Sequence, residues 1–172
     1  WGPRIGDLVE FLAYSGLRIK SEAVWVNWED IDWKRNEIIV RGHPDTGTKN
    51  REIRRVPLIS DMEALLKRMQ GATSTGPVLE IGRCNEALAR ACKEIGITRI
   101  THHDLRHLFA TRCIESGVDI PTVSRWLGHK DGGALAMRTY GHLRNEHSQQ
   151  MAQKVTFGPK PETGSKVQTT PC

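Results

Sequence analysis

The stretch at residues 30–40, DIDWKRNEIIV, marks the point at which the hydrophobic pattern of this chain changes. Residues 30–33 and residues 37–40 are short runs rich in isoleucine, valine and tryptophan, and a polar turn separates them. A third run of this kind, EIRRV at residues 52–56, follows a segment rich in turn residues. Three short strands so close together in the chain predict one small antiparallel β-sheet.

The segments on both sides of this sheet are predicted to be helical. Their apolar residues recur three and four positions apart, which is the spacing of an amphipathic helix. Ser60 with Glu63, and Thr101 with Asp104, have the spacing of capping boxes, and Asp119 is a third candidate helix start. Helices are predicted over residues 3–16, 21–26, 60–71, 88–96, 101–113, 119–128, about 133–140 and about 144–154. We therefore predict a mainly α fold with a small three-stranded antiparallel β-sheet near the N-terminal third (α+β).

Composition narrows the class of protein without deciding its function. The chain has 172 residues and a formal net charge of +5, which fits one globular domain and suits a polyanionic partner. No apolar run approaches the ~18 residues of a membrane span, and no secretory leader is recognisable. The four cysteines lack C-x-x-C or other metal-type spacing, which predicts a reduced, cytoplasmic protein.

The sequence leads to one prediction for each end of the chain. From Gly158 onward the sequence is rich in Pro, Gly, Thr and Ser and has no periodicity, which predicts a flexible tail over residues 158–172. The chain begins with Trp1 rather than Met, so we expect it to be part of a longer protein. One folded domain is accordingly predicted over residues 1–157.

Arg18 and Glu22 are the first polar residues that interrupt a helical pattern. They lie four positions apart in GLRIKSEA, residues 16–23. Considered alone, they are best interpreted as an ion pair on the surface of a helix.

His103 and Arg106 form a second candidate pair, in the stretch HDLR at residues 103–106. At ~100° per residue they lie about 60° apart on the flank of the apolar stripe of their helix. Both side chains can then point into a cleft beside the core, although two residues solvating a helix edge would show the same pattern. His103 and His107 are four apart, but no H-E-x-x-H pattern or third ligand accompanies them, so a metal site is not predicted.

His129 and Tyr140 complete the set of candidates. His129 follows Gly128, the predicted end of a helix, where the helix dipole favours a protonated or hydrogen-bond-donating imidazole. Tyr140 is one of only two tyrosines in the chain and precedes Gly141. Considered alone, it is best interpreted as a half-buried core aromatic.

Together and in this order, five stretches closely resemble the conserved boxes of the tyrosine recombinases, the lambda-integrase-like family. The stretches are G-L-R-I-x-S-E-A, T-K-N-R-E-I-R-R-V-P-L, H-D-L-R-H-x-F-A-T, W-L-G-H and R-T-Y. The resemblance runs from about Gly16 to Lys154, and five boxes in the right order are far more specific than any one of them. It implies the catalytic fold of DNA breaking-rejoining enzymes over residues 1–157. It also implies site-specific DNA cleavage and rejoining through a covalent 3′-phosphotyrosyl intermediate.

The resemblance also implies a role for each matching residue. The catalytic set would be Arg18, Lys49, His103, Arg106, His129 and Tyr140, with Tyr140 as the nucleophile. Glu22 falls on the acidic position that is expected to hold Arg18 in place. The hairpin turn at residues 41–47 is long, which leaves Lys34 as an alternative to Lys49. The family often has Pro or a small residue where this chain has His102, and the Asp-Leu-Arg register favours His103 as the catalytic histidine.

These residue types suit an attack on a DNA phosphodiester, which is an anion. Arg18 and Arg106 would bind the non-bridging oxygens, since a guanidinium is always charged and can donate two parallel hydrogen bonds. His129 would donate a further hydrogen bond, and His103 would accept the phenol proton. Lys49 would protonate the leaving 5′ oxygen. No metal or nucleotide cofactor is required by this scheme.

Two other functions remain open at this stage. A type IB topoisomerase uses the same residues but rejoins the original strand, and a non-catalytic DNA-binding module could use residues 120–127 as half of a helix-turn-helix. The expected partners are double-stranded DNA and other copies of the chain, in a cyclic tetramer for the full-length enzyme. The family's N-terminal core-binding domain is not recognisable in this sequence. A cytoplasmic, nucleoid-associated location is expected.

Overall fold

The computed structural model describes residues 2–48, 52–71, 75–130 and 133–141. Six α-helices lie in this part of the chain: α1 (Pro3–Ser15), α2 (Ser60–Met69), α3 (Asn85–Glu94), α4 (His102–Glu115), α5 (Ile120–Leu127) and α6 (Ala134–Tyr140). Three strands form one antiparallel sheet in the order β1 (Ile31–Asp32), β2 (Glu37–Val40) and β3 (Arg54–Pro57). The predicted fold class is therefore confirmed. The predicted helix at residues 144–154 and the predicted tail at 158–172 lie outside the described residues.

The sheet is short, and its register decides which end of it faces the rest of the molecule. Glu37 is paired with Pro57 at one end and Val40 with Arg54 at the other. β2 has its predicted bounds, whereas β1 and β3 begin and end one or two residues from theirs. β1 begins late because residues 28–30 form a 3-10 turn that it follows. The Arg54 end of β3 packs against α5.

The helix starts show which local signals the fold uses. The Thr101 hydroxyl accepts hydrogen bonds from the backbone of His103 and Asp104, and the Asp104 carboxylate bonds back to Thr101, so this capping box is confirmed. Asp119 caps α5 as predicted. The capping box predicted at Ser60 is wrong. Ile59 precedes the helix and packs against the core, so Ser60 is already the first helical residue and caps nothing.

The short α-helix predicted at residues 21–26 is also wrong, since the structure has only a 3-10 helix at Ala23–Trp25. The backbone N–H groups of Glu22 and Ala23 both donate to the Arg18 carbonyl, at 3.0 and 2.9 Å. The Glu22 carboxylate in turn accepts the Arg18 backbone N–H at 2.9 Å. These bonds close a tight turn, and a regular helix cannot form around it.

Two apolar clusters meet beside the end of α1. The larger joins α1, the sheet and α2, and its fully buried side chains include Phe11, Ile38 and Leu65. The smaller joins α4 to α5, and Trp126 packs against both clusters. The crevice between the clusters is where the polar candidates from the sequence come together.

Candidate active site

Arg18 reaches the crevice because α1 ends at Ser15, three residues before it. Gly16 has a φ of 63°, and a Cβ at this position would stand 2.5 Å from Cδ1 of Phe109. Only glycine fits, so the end of α1 lies directly against α4. The Arg18 side chain that follows is one quarter exposed.

Glu22 is the most deeply buried charged residue of the site, with no exposed surface. Its carboxylate accepts a hydrogen bond from Arg18 Nη1 at 2.8 Å. It also accepts two bonds from Arg54, from Nη1 at 3.0 Å and from Nη2 at 2.8 Å. The expected contact between Arg18 and Glu22 is therefore present, but the interpretation as a surface helix pair is wrong.

The ionisation of Glu22 follows from these contacts. Burial alone would raise the pKa of this carboxyl, since a charge is poorly solvated inside a protein. The hydrogen bonds and positive charges of Arg54 and Arg18 outweigh burial and hold the pKa below its ordinary value. Glu22 is thus charged at neutral pH and holds two guanidinium groups.

Arg106 is buried and joins three parts of the chain. Its Nη1 donates to the Gly16 carbonyl at 2.5 Å, and its Nη2 donates to the Leu127 carbonyl at 2.7 Å. The same Nη2 lies 3.2 Å from Nε2 of His129. Arg106 and His129, predicted to act on one substrate, are in direct contact.

His129 is positioned by the turn that ends α5. Gly128 has a φ of 69°, the left-handed conformation that glycine adopts without strain. A Cβ on Gly128 would stand 2.9 Å from Nη1 and 3.0 Å from Cζ of Arg54. Arg54 also donates from Nε to the Trp126 carbonyl at 2.8 Å. The guanidinium of Arg54 therefore lies flat against the turn that presents His129.

The two histidines at the start of α4 have different surroundings. His103 is exposed, and its ring centroid lies 4.4 Å from that of His107. His102 is partly buried, with Nε2 3.2 Å from Sγ of Cys84. Burial lowers the pKa of His102, and burial together with the charge of His103 lowers the pKa of His107.

Arg18 lies between two open cavities. One, of about 450 Å³, is lined by Arg18, Arg54 and His129 among others. The second, of about 290 Å³, is lined by Arg18, His103 and Arg106 among others. Four of the six predicted catalytic residues therefore line one or the other of two cavities that share Arg18.

For the other two candidates, Tyr140 and Lys49, the structure describes less. Tyr140 is the last residue of α6, which packs against α5, and its side chain lies outside the described residues. Lys49 also lies outside them. The residues on either side of that gap, Thr48 and Glu52, line the first cavity, and the Thr48 hydroxyl donates to the Glu52 carbonyl at 3.0 Å. The alternative, Lys34, is exposed in the β1–β2 turn, at the opposite end of the sheet from Arg54.

Arg54 is the residue that sequence reasoning missed. Strand alternation places Arg54 on the same face of the sheet as the buried Val56. An arginine on a core-facing position needs a partner, which is a signal that the sequence offered. The partner, Glu22, lies 32 residues earlier in the chain, and no local pattern points to it.

The described ranges contain neither a metal-binding cluster nor a membrane-spanning helix. Among these residues, no group of three or more His, Cys, Asp or Glu side chains is arranged to hold a metal ion. No helix within the same ranges is long and apolar enough to cross a bilayer.

Comparison with known proteins gives consistent matches over most of the chain. The sequence profile of the Phage integrase family matches residues 4–147. Tyrosine recombinase XerD of Neisseria meningitidis is 31% identical over 162 residues, covering 84% of this chain and 52% of that protein. Tyrosine recombinase XerA of Pyrococcus furiosus is 35% identical over 163 residues, covering 87% of this chain and 54% of that protein.

One solved structure matches at the scale of a domain. The catalytic domain of bacteriophage HP1 integrase superposes with a TM-score of 0.64 at 23% identity, covering 93% of this chain and 85% of that one. At this identity the match shows the fold. The chain spans about half the length of the curated relatives that it matches.

Proposed function

The chain belongs to the phage integrase family of tyrosine recombinases, and we propose that it cleaves and rejoins DNA strands at specific sites through a covalent 3′-phosphotyrosyl bond to Tyr140. The observation that carries the proposal is that Arg18, His103, Arg106 and His129 line two cavities that share Arg18, with Arg106 and His129 in contact. These residues come from three separate boxes of the sequence, and their proximity supports a common role in binding one phosphate.

The phosphate would be held by the two arginines. Arg18 is partly exposed between the cavities, and Arg106 is fixed by two backbone carbonyls, so a bound phosphodiester meets a guanidinium that is already in place. Fixed cations stabilise the charge that builds on the non-bridging oxygens as a fifth oxygen approaches phosphorus. His129, in contact with Arg106, adds a hydrogen bond to the same oxygens.

The bond changes are a transesterification. The Tyr140 oxygen forms a bond to phosphorus and passes its proton to His103. The bond from phosphorus to the 5′ oxygen breaks, and that oxygen receives a proton from Lys49. The new phosphotyrosyl ester keeps the bond energy, so a 5′ hydroxyl from another strand can reverse the step. No metal or nucleotide enters this scheme.

Lys49 is preferred to Lys34 for reasons of position. Thr48 and Glu52, which flank the segment containing Lys49, line the cavity that holds Arg18 and His129. Lys34 lies at the far end of the sheet.

The whole protein is proposed to act on double-stranded DNA with other copies of itself, as a cyclic tetramer. We assign residues 1–157 to the catalytic domain and residues 158–172 to a tail that docks on a neighbouring copy. A preceding core-binding domain would grip the far side of the DNA, and the enzyme would work in the cytoplasm at the nucleoid.

The decisive experiment traps the covalent adduct. The chain is incubated with 5′-labelled duplexes that carry a nick next to a randomised cleavage region, so that the short 5′-hydroxyl strand diffuses away after cleavage. We expect a labelled protein band in a denaturing gel and a nucleotide-modified Tyr140 peptide by mass spectrometry. Tyr140→Phe should bind DNA normally and give no adduct.

Tyr14 provides the matched control, since it is the only other tyrosine and lies half-buried in α1. Tyr14→Phe should still form the adduct. An adduct that survives in Tyr140→Phe would disprove the proposed nucleophile. An adduct that relaxes supercoiled plasmid but never joins a second duplex would instead indicate a topoisomerase.

A sulfur-substituted substrate tests the lysine. Lys49→Ala should slow cleavage of ordinary DNA by roughly 10²–10⁴-fold. When sulfur replaces the 5′ oxygen, the leaving thiolate needs no proton, so Lys49→Ala should recover while Arg18→Ala and Arg106→Ala stay slow. Recovery of Lys34→Ala in place of Lys49→Ala would show that Lys34 is the acid.

A further inference from the structure

We propose that Arg54 is a positioning residue of this active site, which fixes Glu22 on one side and the Gly128–His129 turn on the other and so aligns Arg18 with His129 across the crevice. The inference rests on the proposed function, because alignment matters only if Arg18 and His129 act on one phosphate. It goes further by giving a role to a residue outside the catalytic set.

The contacts of Arg54 use most of its hydrogen-bonding capacity. Two of its N–H groups point to the two oxygens of Glu22, and a third points to the Trp126 carbonyl. The side chain is 11% exposed, whereas Arg18 is 25% exposed on the other side of the same carboxylate. Both arginines line the first cavity, but Arg54 exposes less of its side chain there than Arg18 does.

The positioning role of Arg54 follows from the way that Glu22 binds both arginines. A carboxylate that bound Arg18 alone could rotate and carry the guanidinium with it. Arg54 occupies Glu22 with a bidentate pair, which fixes the plane of the carboxylate. Arg18 then meets an acceptor of fixed position, at 2.8 Å from Nη1.

The second effect of Arg54 acts on His129. Its guanidinium lies within 3.2 Å of the place that a side chain on Gly128 would occupy, and its Nε holds the Trp126 carbonyl. Both contacts fall on the last turn of α5, immediately before His129. One residue therefore connects the sheet, the Arg18 segment and the loop that carries His129.

Among the described residues, two arginines contact the Glu22 carboxylate. Arg18 faces it from the segment after α1, and Arg54 faces it from β3. Arg125, His129 and Glu52 line the cavity beside this cluster. Arg55 lines the same cavity. Within the described part of the chain, Arg54 and then Arg18 lower the pKa of Glu22. Without Arg54, burial would be opposed by Arg18 alone, and Glu22 would take up a proton at a higher pH.

The first arm of the test needs no DNA. The Glu22 carboxyl carbon is followed by ¹³C NMR through a pH titration, with Glu22→Gln used to assign the signal. We expect Arg54→Met to raise the pKa of Glu22 and Arg54→Lys, which keeps the charge, to bring it back towards that of the unaltered chain. Arg68→Met, on the exposed face of α2, should leave the Glu22 pKa unchanged.

The second arm measures adduct formation on the nicked duplex pool at several pH values. Arg54→Met should slow it on the order of 10²-fold, the loss that a misplaced group near a reacting centre produces. The loss should be largest at low pH, where Glu22 is protonated, and smaller as the pH rises. Arg54→Lys should remove this pH dependence, and so should the double variant Arg54→Met with Glu22→Gln, which cannot titrate. Arg68→Met should react as the unaltered chain does.

The outcomes separate positioning from support of the fold. A loss in Arg54→Met that is equal at every pH, or an unchanged Glu22 pKa, would overturn the proposal. So would Arg54→Lys behaving like Arg54→Met in both arms. If Arg54→Met does not fold, Arg54→Gln takes its place in both arms, since it also removes the charge and keeps a polar side chain; a normal Glu22 pKa and normal adduct formation in Arg54→Gln would overturn the proposal. If the unaltered chain forms no adduct, the proposed function fails, and the Glu22 titration still decides whether Arg54 holds this carboxylate.

Discussion

The molecule has two clusters of three charged residues, one buried beside the crevice and one exposed on the outer surface of α1 and α2. Their hydrogen bonds have similar lengths, but their burial differs. In the first, Glu22 lies between Arg18 and Arg54 at hydrogen-bond distances of 2.8–3.0 Å. In the second, Arg68 of α2 lies between Asp7 and Glu10 of α1, at 2.8 and 3.0 Å. The central residue of the first cluster has no exposed surface, whereas the side chain of Arg68 is 57% exposed.

The difference shows what burial adds to a charge cluster. Water screens the outer cluster and can replace any of its contacts, so its geometry is only one of several that the side chains can adopt. Water cannot replace the contacts of Glu22, so the carboxylate keeps both arginines in place or destabilises the fold. The buried cluster also contains one more positive than negative charge, which leaves Arg18 able to attract an anion. The inner cluster is thus suited to position a cation, and the outer one is not.

The largest effect is expected from Glu22→Gln. Two guanidinium groups would then face a neutral amide inside the protein, and breaking a buried ion pair from one side costs about 3–5 kcal/mol of unfolding free energy. Urea unfolding followed by circular dichroism measures the change. A loss as small as that of an exposed residue would show that water reaches this cluster and that the contrast with Arg68 is unfounded.

Gly128→Ala should cause the second-largest loss of unfolding free energy, because Gly128 lies against Arg54 of the inner cluster. The left-handed backbone and the collision with Arg54 together should reduce the unfolding free energy by about 2–4 kcal/mol. Gly96 is the matched control: its φ is +72°, and no atom lies within 4 Å of a Cβ built there. Gly96→Ala should lose only the backbone part, about 1–2 kcal/mol.

An Arg54→Met background sharpens this second prediction. If the additional loss in Gly128→Ala comes from Arg54, it should disappear when that guanidinium is absent. The two glycine variants would then differ little. A difference that persists would place its cause in another neighbour of Gly128.

Local signals explain how much of the fold could be predicted. The Thr101 box and the Asp119 cap were found because a cap and its partner are three residues apart, and the left-handed Gly16 and Gly128 ended their helices as expected. The Ser60 box failed because burial of Ile59 fixed the start of α2 instead. The helix predicted at residues 21–26 failed because the Glu22 side chain bonds back to the Arg18 backbone and closes a tight turn, which the apolar spacing does not reveal.

The candidate site shows the same limit. Arg18, His103, Arg106 and His129 could be proposed because each lies in a short recognisable box, and the structure places them around two cavities that share Arg18. Arg54 lies in such a box too, but its function depends on Glu22 and on the Trp126 carbonyl, which are 32 and 72 residues away in the chain. Residues that act on a substrate can be recognised from their type, whereas a residue that acts through others is recognised from its contacts.

Asp30→Asn should reduce the unfolding free energy by an intermediate amount. Its ion pair with Arg41 joins a buried carboxylate to an exposed arginine, whereas the Glu22 cluster is mostly buried and the Arg68 cluster is mostly exposed. Asp30 is buried and accepts a bond from Arg41 Nε at 2.7 Å, while Arg41 itself is 55% exposed. The amide can still accept the Asn27 backbone N–H, so only the charged contact is weakened. We expect a loss of about 1–2 kcal/mol in the same urea experiment. A loss equal to that of Glu22→Gln would mean that burial of the carboxylate alone decides the effect, whatever the exposure of its partner.

Arg68→Met should have the smallest effect of the series. The arginine lies on the surface, and the two acidic residues that it releases, Asp7 and Glu10, can be solvated by water where they stand. Its aliphatic stem is replaced by a side chain of similar length, so little apolar packing is lost. The attraction of the two carboxylates raises the pKa of Arg68, but an arginine is already fully charged at any pH at which the protein is folded, so this shift adds no pH dependence near neutrality.

We expect no measurable change in the urea midpoint of Arg68→Met at about 0.15 M salt, where the Debye length is about 8 Å. At low salt a small decrease should appear, because the attraction between Arg68 and the two carboxylates is then less screened. A large decrease that did not depend on salt would show that the contact between α1 and α2 relies on this arginine, and the outer cluster would then have a structural role like that of the inner one.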